Sequence, residues 1–255
     1  MPSPLIIRSI TEFRRHYRKL RIGDAVLGPL PWRDGEEAKL LDLVDRGVVF
    51  FPAALAQMLA RSKVAQAEVL GEFMAPGTFV AYGLPDLARQ LAPFHDQGIG
   101  PVVTKRDRAH LGLGVSLWPT LDTLCSLGGL QDLPYPLVVQ PFLADSRDLR
   151  LVVLGDYAEA YERFNPGSFR KNLFQGGSSR PVADSPELLE FSRRIMARGK
   201  FPYAILDLLA LPSGEFFLSE ISLKGGLTGA RLSQAEFRER VKGLEEDFRQ
   251  QWESS

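Results

Sequence analysis

Ile10, Phe13, Tyr17 and Leu20 recur at helical spacing, so the chain opens with an apolar helical stripe. From Gly35 to Phe73 the pattern predicts helix, short strand, helix, helix. Val48-Val49-Phe50-Phe51 reads as a strand stopped by Pro52, and Ala53–Ala60 and Lys63–Phe73 read as helices. After the turn Pro76-Gly77-Thr78, Phe79 to Tyr82 is a short strand and Leu84 to Leu91 a helix. Pro101 to Lys105 is a strand running into a polar loop that contains Gly112 and Gly114, and Val115–Trp118 and Leu137–Gln140 are strands. Leu149 to Phe164 has the alternation of a hairpin turning at Gly155-Asp156. Ser185-Pro186-Glu187 starts a helix that Gly199 stops. Ser233 and Glu236 form a capping box, opening a terminal helix with Phe237, Val241, Leu244, Phe248 and Trp252 on one face. Strands and helices alternate irregularly and the later strands come as hairpins. The expected fold is therefore α+β (mixed α/β), with a largely antiparallel sheet.

Composition narrows the class. At 255 residues the chain has room for one large or two modest domains. Lys+Arg and Asp+Glu are 31 each, which argues against a nucleic-acid coat or a membrane-surface protein, both of which need a basic excess. The single Cys125 excludes disulfide scaffolds and cysteine-rich metal sites, and three scattered histidines give a His-based metal site little material. The longest apolar run, Val48 to Ala60, contains Pro52 and Gln57 and is too short to span a bilayer. Met1-Pro2-Ser3-Pro4 lacks a secretory pattern, so a cytoplasmic protein is expected. Six of the residues 8–21 are Lys or Arg against one acid, Glu12. That side of the helix either faces water or forms an arm for an acidic protein partner. Cys125, Trp32, Trp118 and Trp252 read as packing residues, and His110 as a solvated loop residue.

Two hairpins place charges on one face. In Tyr203–Ile221, a turn centred on Ser213-Gly214 makes Asp207 and Glu220 direct cross-strand neighbours, with Cβ atoms about 5 Å apart. Two carboxylates so close repel unless one is protonated or a cation lies between them. Oxygen ligands on adjacent strands, with room left for phosphate oxygens, suit Mg²⁺. A bulge at the turn would instead shift the register and separate the two acids. The hairpin at Gly155-Asp156 pairs Asp148 with Arg163 and Arg150 with Tyr161, either as a structural ion pair or as a cationic floor for anions. Between these hairpins, Asn165 to Gly177 is a polar, basic, glycine-containing loop, and Lys105 with Gly112 and Gly114 has the makings of a phosphate-covering loop.

In this order the residues resemble the ATP-grasp ligases of the RimK-like group. The matching positions are Gln140-Pro141-Phe142-Leu143 as the hinge, Asp148-Leu149-Arg150, Gly155-Asp156 with Glu162-Arg163, and Phe169-Arg170-Lys171-Asn172 with Gly176-Gly177. They continue through Leu206-Asp207-Leu208-Leu209 to Glu220-Ile221-Ser222 with Gly225 to Gly229. The resemblance covers about residues 45–231 and implies an ATP-grasp fold, with nucleotide held between two α+β subdomains. It divides the chain into a shortened N-terminal region at 1–61, a small subdomain with a phosphate lid at 62–140, and a large subdomain at 141–255. Ser222 stands where the family has Asn, Pro141 replaces an acid at the hinge, and Lys224 adds a cation beside the metal strand.

The implied activity is ATP-dependent carboxylate–amine ligation through an acyl phosphate, adding an amino acid to a peptide or small-molecule acceptor. The alternative is a degenerate ATP-grasp protein that binds Mg-ATP without ligating, which Ser222 and Pro141 favour. By resemblance, Lys63, Lys105, Gly112, Gly114, Gln140, Phe142, Leu143, Asp148 and Arg150 hold ATP. Asp207 and Glu220 hold Mg²⁺ (or Mn²⁺) with Ser222 and Asn172 as supporting ligands, and Arg163 and Arg170, the catalytic groups with Asn172, bind the γ-phosphate and then the acyl phosphate and substrate carboxylate. The implied partners are ATP, a carboxylate or amino-acid substrate and an amine acceptor, with no membrane and a homo-oligomer compatible; nucleic acid is not expected, and would enter only on a third reading in which the basic 8–21 arm makes the chain a protein- or nucleic-acid-interaction module.

Overall fold

The computed structural model describes residues 4–109, 113–165, 167, 169, 177–183 and 185–254. The N-terminal part contains β1 (Ile6–Ile7), α1 (Ile10–His16), β2 (Ala25–Leu27), α2 (Glu37–Asp45), β3 (Val49–Phe51) and α3 (Ala54–Leu59). Its three strands form a parallel sheet in the order β1-β2-β3. This departs from the antiparallel expectation, because β1 and β2 are too short to leave a sequence signal and the helices between them are crossovers. Phe13 and Leu20 from the predicted stripe are buried with Leu40, Leu43 and Phe50. Ser9 caps α1 by accepting from the Glu12 amide. On its basic side, Arg14 pairs with Glu36, while Arg8, Arg15, Arg18, Lys19 and Arg21 are exposed.

The middle part runs through α4 (Lys63–Leu70), β4 (Phe79–Ala81), α5 (Leu84–Asp96), β5 (Val102–Arg106), β6 (Val115–Trp118), α6 (Leu121–Gly128) and β7 (Leu137–Pro141). The strands form an antiparallel sheet in the order β4-β7-β5-β6. Leu87 and Phe94 of α5, with Leu121 and Leu124 of α6, pack on Ala81, Val102 and Val139 of one face. The other face carries Val103, Lys105 and Gln140. Helix α5 runs past Pro93, beyond the predicted end at Leu91. The apolar ring of Phe94, packed edge-on against Phe79, holds the last turn despite the lost backbone donor.

The remaining elements are β8 (Arg147–Leu154), β9 (Tyr157–Phe164), β10 (Ser178–Val182), α7 (Pro186–Gly199), β11 (Tyr203–Ala210), β12 (Phe216–Ser222) and α8 (Gln234–Glu253). Their sheet is antiparallel throughout, ordered β10-β9-β8-β11-β12. Helix α7 covers one face through Leu188, Ile195 and Met196, together with Ala56, Leu59 and Leu70 from α3 and α4. Helix α8 is held by Phe237, Val241 and Leu244, and Phe248 stacks on Phe51 at 4.6 Å. Among the described residues, no helix is long and apolar enough to cross a membrane.

Register explains how the charges reach one face. The β8–β9 hairpin pairs Asp148 with Arg163 and Arg150 with Tyr161, as the turn at Gly155-Asp156 requires. In β11–β12, Asp207 does lie opposite Glu220, but not for the reason given by the turn. Near the turn, Ala210 pairs with Phe216 and Leu208 with Leu218. Continued unbroken, that register would set Ser219 opposite Asp207 and turn Glu220 to the core side beside Leu206. A bulge between Asp207 and Leu208 leaves Ser219 as the extra residue and returns Glu220 to the face of Asp207.

Helix α4 is fixed to β12 by one buried side chain. Gln66 donates to the Leu59 carbonyl at 2.7 Å and the Ile221 carbonyl at 2.9 Å, and accepts from the Ile221 amide at 3.0 Å. Gln66→Leu strands both backbone groups of Ile221 away from water. A loss of about 3 kcal/mol in unfolding free energy is expected from a urea denaturation curve; a change below about 0.5 kcal/mol would show that α4 docks by apolar contact alone.

Candidate functional site

A cavity of about 570 Å³ opens between the four-stranded and five-stranded sheets. Of the twelve predicted site residues that are described, eleven line it: Lys63, Lys105, Gln140, Phe142, Leu143, Asp148, Arg150, Arg163, Asp207, Glu220 and Ser222. Gly114 does not. It closes the loop after β5, where its carbonyl accepts from the Arg106 amide at 2.8 Å and a Cβ would overlap that of Ala109. Gly112, Arg170 and Asn172 lie outside the described residues.

The floor is a checkerboard of charge on β9, β8 and β11. Arg150 makes a two-pronged contact with Asp207, Nε to Oδ1 at 2.7 Å and Nη2 to Oδ2 at 2.8 Å. Arg163 bonds Asp148 at 2.6 Å and reaches Asp207 Oδ2 at 3.1 Å. Burial opposes the charge on Asp207, but Arg150 and Arg163 outweigh it and hold this carboxyl well below the usual carboxylate range. In Asp148 burial prevails over Arg163, so its carboxyl is raised. Arg150 Nη1 also donates to the Gly226 carbonyl at 2.9 Å, tying the glycine-rich segment after β12 to the floor.

The opposite wall supplies two lysines. Lys63, in the first turn of α4 next to the cap residue Ser62, donates to Glu220 Oε1 at 3.0 Å and to the Ala109 carbonyl at 2.8 Å. Lys105 donates to the Ser219 carbonyl and hydroxyl at 2.9 and 3.0 Å. Ser219, absent from the sequence-based candidates, is the bulge residue; nothing in its local sequence marks it. Burial, reinforced by Lys63, pushes the Lys105 ammonium down to about 8, with Glu220 pulling the other way. The loop that follows is tied at its base: Asp107 accepts from Ser62 Oγ and the Val64 amide, and Arg108 pairs with Asp34 and Glu37.

The donor set fits a divalent cation with few protein ligands. Asp207 accepts two hydrogen bonds from Arg150 and lies in an ion pair with Arg163, and a carboxylate has about four lone-pair positions. Glu220 Oε2 has no partner among the described residues, and Ser222 Oγ makes only a 3.5 Å contact to the Ile205 carbonyl. Among the described residues no group of three or more His, Cys, Asp or Glu forms a closed metal cage. A divalent ion there would have two protein carboxylates and would need water or phosphate oxygens for the rest of its shell, a composition that suits Mg²⁺.

The RimK-like ATP-grasp domain matches residues 57–236. The chain belongs to this family. The RimK-like match spans both walls of the cavity, from α3 to the first turn of α8. A protein named probable alpha-L-glutamate ligase 2, from Shewanella frigidimarina, is 32% identical over 137 residues, covering 52% of this chain and 46% of that protein. The chain thus spans about half the length of the curated relatives it matches. A RimK-domain ATP-grasp protein from Sphaerobacter thermophilus superposes with a TM-score of 0.55 at 20% identity, covering 88% of this chain and 80% of its own. The ATP-grasp ligase PsnB, solved with a minimal precursor, Mg and ADP, superposes with a TM-score of 0.58 at 15% identity, covering 88% and 79%. These likenesses give the ATP-grasp fold for the α+β architecture.

Lys105 provides a pH test. It must gain a full charge to hold an anion, so ADP affinity is expected to fall as pH rises through about 8. Calorimetry at pH 8.5 in buffers of different ionisation enthalpy should record proton uptake on ADP binding, and Lys105→Arg should abolish that uptake. For stability the sign is opposite. The unfolded chain binds this proton up to its ordinary range, so the penalty of a buried ammonium is fully present below about 8 and disappears as pH rises above it. Equal heats in all buffers would exclude Lys105 as the group that charges.

Proposed function

We propose that this protein is an ATP-dependent carboxylate–amine ligase working through an acyl phosphate. One observation carries the reading: two lysines, two arginines and a cross-strand pair of carboxylates line a single cavity between two sheets. The same arrangement suits phosphoryl transfer, which requires positioning and charge neutralisation more than covalent chemistry from the protein.

In this reading Lys63 and Lys105 hold the α- and β-phosphates, and Gln140, Phe142 and Leu143 border the base. A divalent ion bound by Asp207 and Glu220, with Ser222 beside it, supplies neutralising charge to the triphosphate. Arg150 fixes the Asp207 carboxylate through its two-pronged contact, while Asp148 orients Arg163 toward the γ-phosphate. A substrate carboxylate oxygen attacks the γ-phosphorus, the bond to the β-phosphate oxygen breaks, and ADP departs. The amine then attacks the acyl carbon, phosphate leaves, and the amine proton is lost to solvent. Arg163 stabilises the charge that builds on the transferred group in both steps. Arg170, Asn172 and the glycine loop at Gly112 are assigned supporting roles from the resemblance alone. The relatives' name, probable alpha-L-glutamate ligase, supports an amino acid such as glutamate as one substrate.

The second reading, nucleotide binding without ligation, is favoured by the clamp that Arg150 and Arg163 place on Asp207. An ADP-release screen over amino acids and acidic peptides separates the two. A ligase turns over with at least one carboxylate–amine pair, whereas a binder shows only a thermal shift with Mg-ATP. Asp207→Asn and Glu220→Gln should each lower ADP release by about 100-fold or more while far-UV dichroism is retained. Wild-type turnover in both would exclude the proposed metal site.

A further inference from the structure

The loop that leaves β5 is held at three consecutive residues, and the middle one reaches outside the two sheets that enclose the cavity. Asp107 accepts from Ser62 Oγ at 2.8 Å and from the Val64 amide at 3.2 Å, at the start of α4. Ala109 lines the cavity, and its carbonyl accepts from Lys63 Nζ at 2.8 Å. Between them the Arg108 side chain crosses to the N-terminal region, where Nη1 pairs with Asp34 and Nη2 donates to Glu37 Oε1 at 2.7 Å. Arg108 has a φ of 54°, in the left-handed region that a residue with a Cβ enters at a cost. A non-glycine residue stays there only where its surroundings over-determine it, and three adjacent anchors do so. Asp34 and Glu37 lie neither in the cavity lining nor in the stretch 57–236 that matches the family.

We propose that Arg108 is a positioning residue: latched to Asp34 and Glu37, it lets the N-terminal region set the backbone of 107–109 and, through the Ala109 carbonyl, the place of Lys63 at the phosphate end of the cavity. This rests on the nucleotide-binding reading above and adds to it a control exerted from outside the site. The Ala109 carbonyl is a second acceptor for Lys63, so the ammonium does not swing wholly onto Glu220. Without the latch the left-handed turn relaxes and the carbonyl moves off Lys63. An arriving phosphate must then reorder both, a cost that is read as lost affinity. The base and sugar make no use of Lys63, so the loss is confined to the phosphates. Removing Arg108 leaves neither acid without a cation, because Arg61 lies 3.6 Å from Asp34 and 3.9 Å from Glu37.

The test is a double-mutant cycle on the full chain, read by calorimetric titration in Mg²⁺ with ADP and with adenosine. Arg108→Asn cuts the latch with a residue that tolerates the left-handed backbone, and Asp34→Asn combined with Glu37→Gln cuts it from the other side. Each should lower ADP affinity about tenfold, and the triple variant should lower it no further, since all three changes remove one contact. Adenosine affinity should stay within about twofold of wild type throughout. Wild-type ADP affinity on cutting either side overturns the proposal, as do losses that multiply in the triple variant. A loss for adenosine as large as that for ADP overturns it too, because it marks damage to the whole cleft. ADP binding that ignores the latch leaves the nucleotide reading intact, whereas a wild type that binds no ADP refutes both.

Discussion

The structure turns on a buried tetrad of charge, Arg163–Asp148 and Arg150–Asp207, cross-linked by Arg163 to Asp207. Two guanidinium groups and two carboxylates balance, which is why they can sit on a sheet face at low exposure. Removing one member of such a set costs roughly 3–5 kcal/mol, most of it the penalty of the charge left behind. The geometry demands arginine. Lys would offer Asp207 one point charge, whereas Arg150 holds both oxygens in a fixed plane and still reaches the Gly226 carbonyl. The tetrad therefore orients a carboxylate that the fold places at the centre of the cavity and joins the glycine-rich segment to the sheet.

Above this floor, the second layer depends on a backbone irregularity. The extra residue in β12 does two things at once: it rotates Glu220 to the cavity side, and it offers Ser219 to Lys105. Lys63 then bridges Glu220 to the loop after β5, and Gln66, one turn further along α4, pairs with the Ile221 backbone. Helix α4 and strand β12 are thereby set with respect to each other by polar contacts at Glu220 and at its neighbour Ile221. A bulge beside a cluster of functional side chains re-aims them at little cost to the rest of the sheet.

How much of this could be read from the sequence differs from element to element. The 148–163 hairpin was legible because its tight turn fixes the register and its residues alternate cleanly. The Asp207–Glu220 pair was reached by a turn-based register that the structure does not follow near the turn; the bulge brings the two acids together, and no local residue announces it. β1 and β2 were missed because two or three residues carry no periodicity, and β10 because Ser178 to Val182 is polar and only one side of it pairs within the sheet. The helix expected over Leu84 to Leu91 continues through Pro93 to Asp96, where Phe94 is buried against Phe79. The partners of the predicted lysines were also beyond reach, since Ser219 and the Ala109 carbonyl are contacts made by loops and not by spacing.

Charge counting ties these layers to the proposed chemistry. Among the described residues that line the cavity, Lys63, Lys105, Arg150, Arg163 and Lys224 face Asp148, Asp207 and Glu220, an excess of two positive charges. A nucleoside triphosphate carries about four negative charges near neutral pH, since its terminal phosphate loses its second proton near pH 6. On the nucleotide-binding reading, the triphosphate alone would leave the cleft two charges negative, and a single divalent ion restores neutrality. The cations already paired with protein acids do not each need a new charge when phosphate arrives; they exchange one oxygen partner for another. Such an exchange keeps the paired lysine and arginine donors satisfied in both states, a condition that lets a charged cleft be emptied and refilled without unfolding.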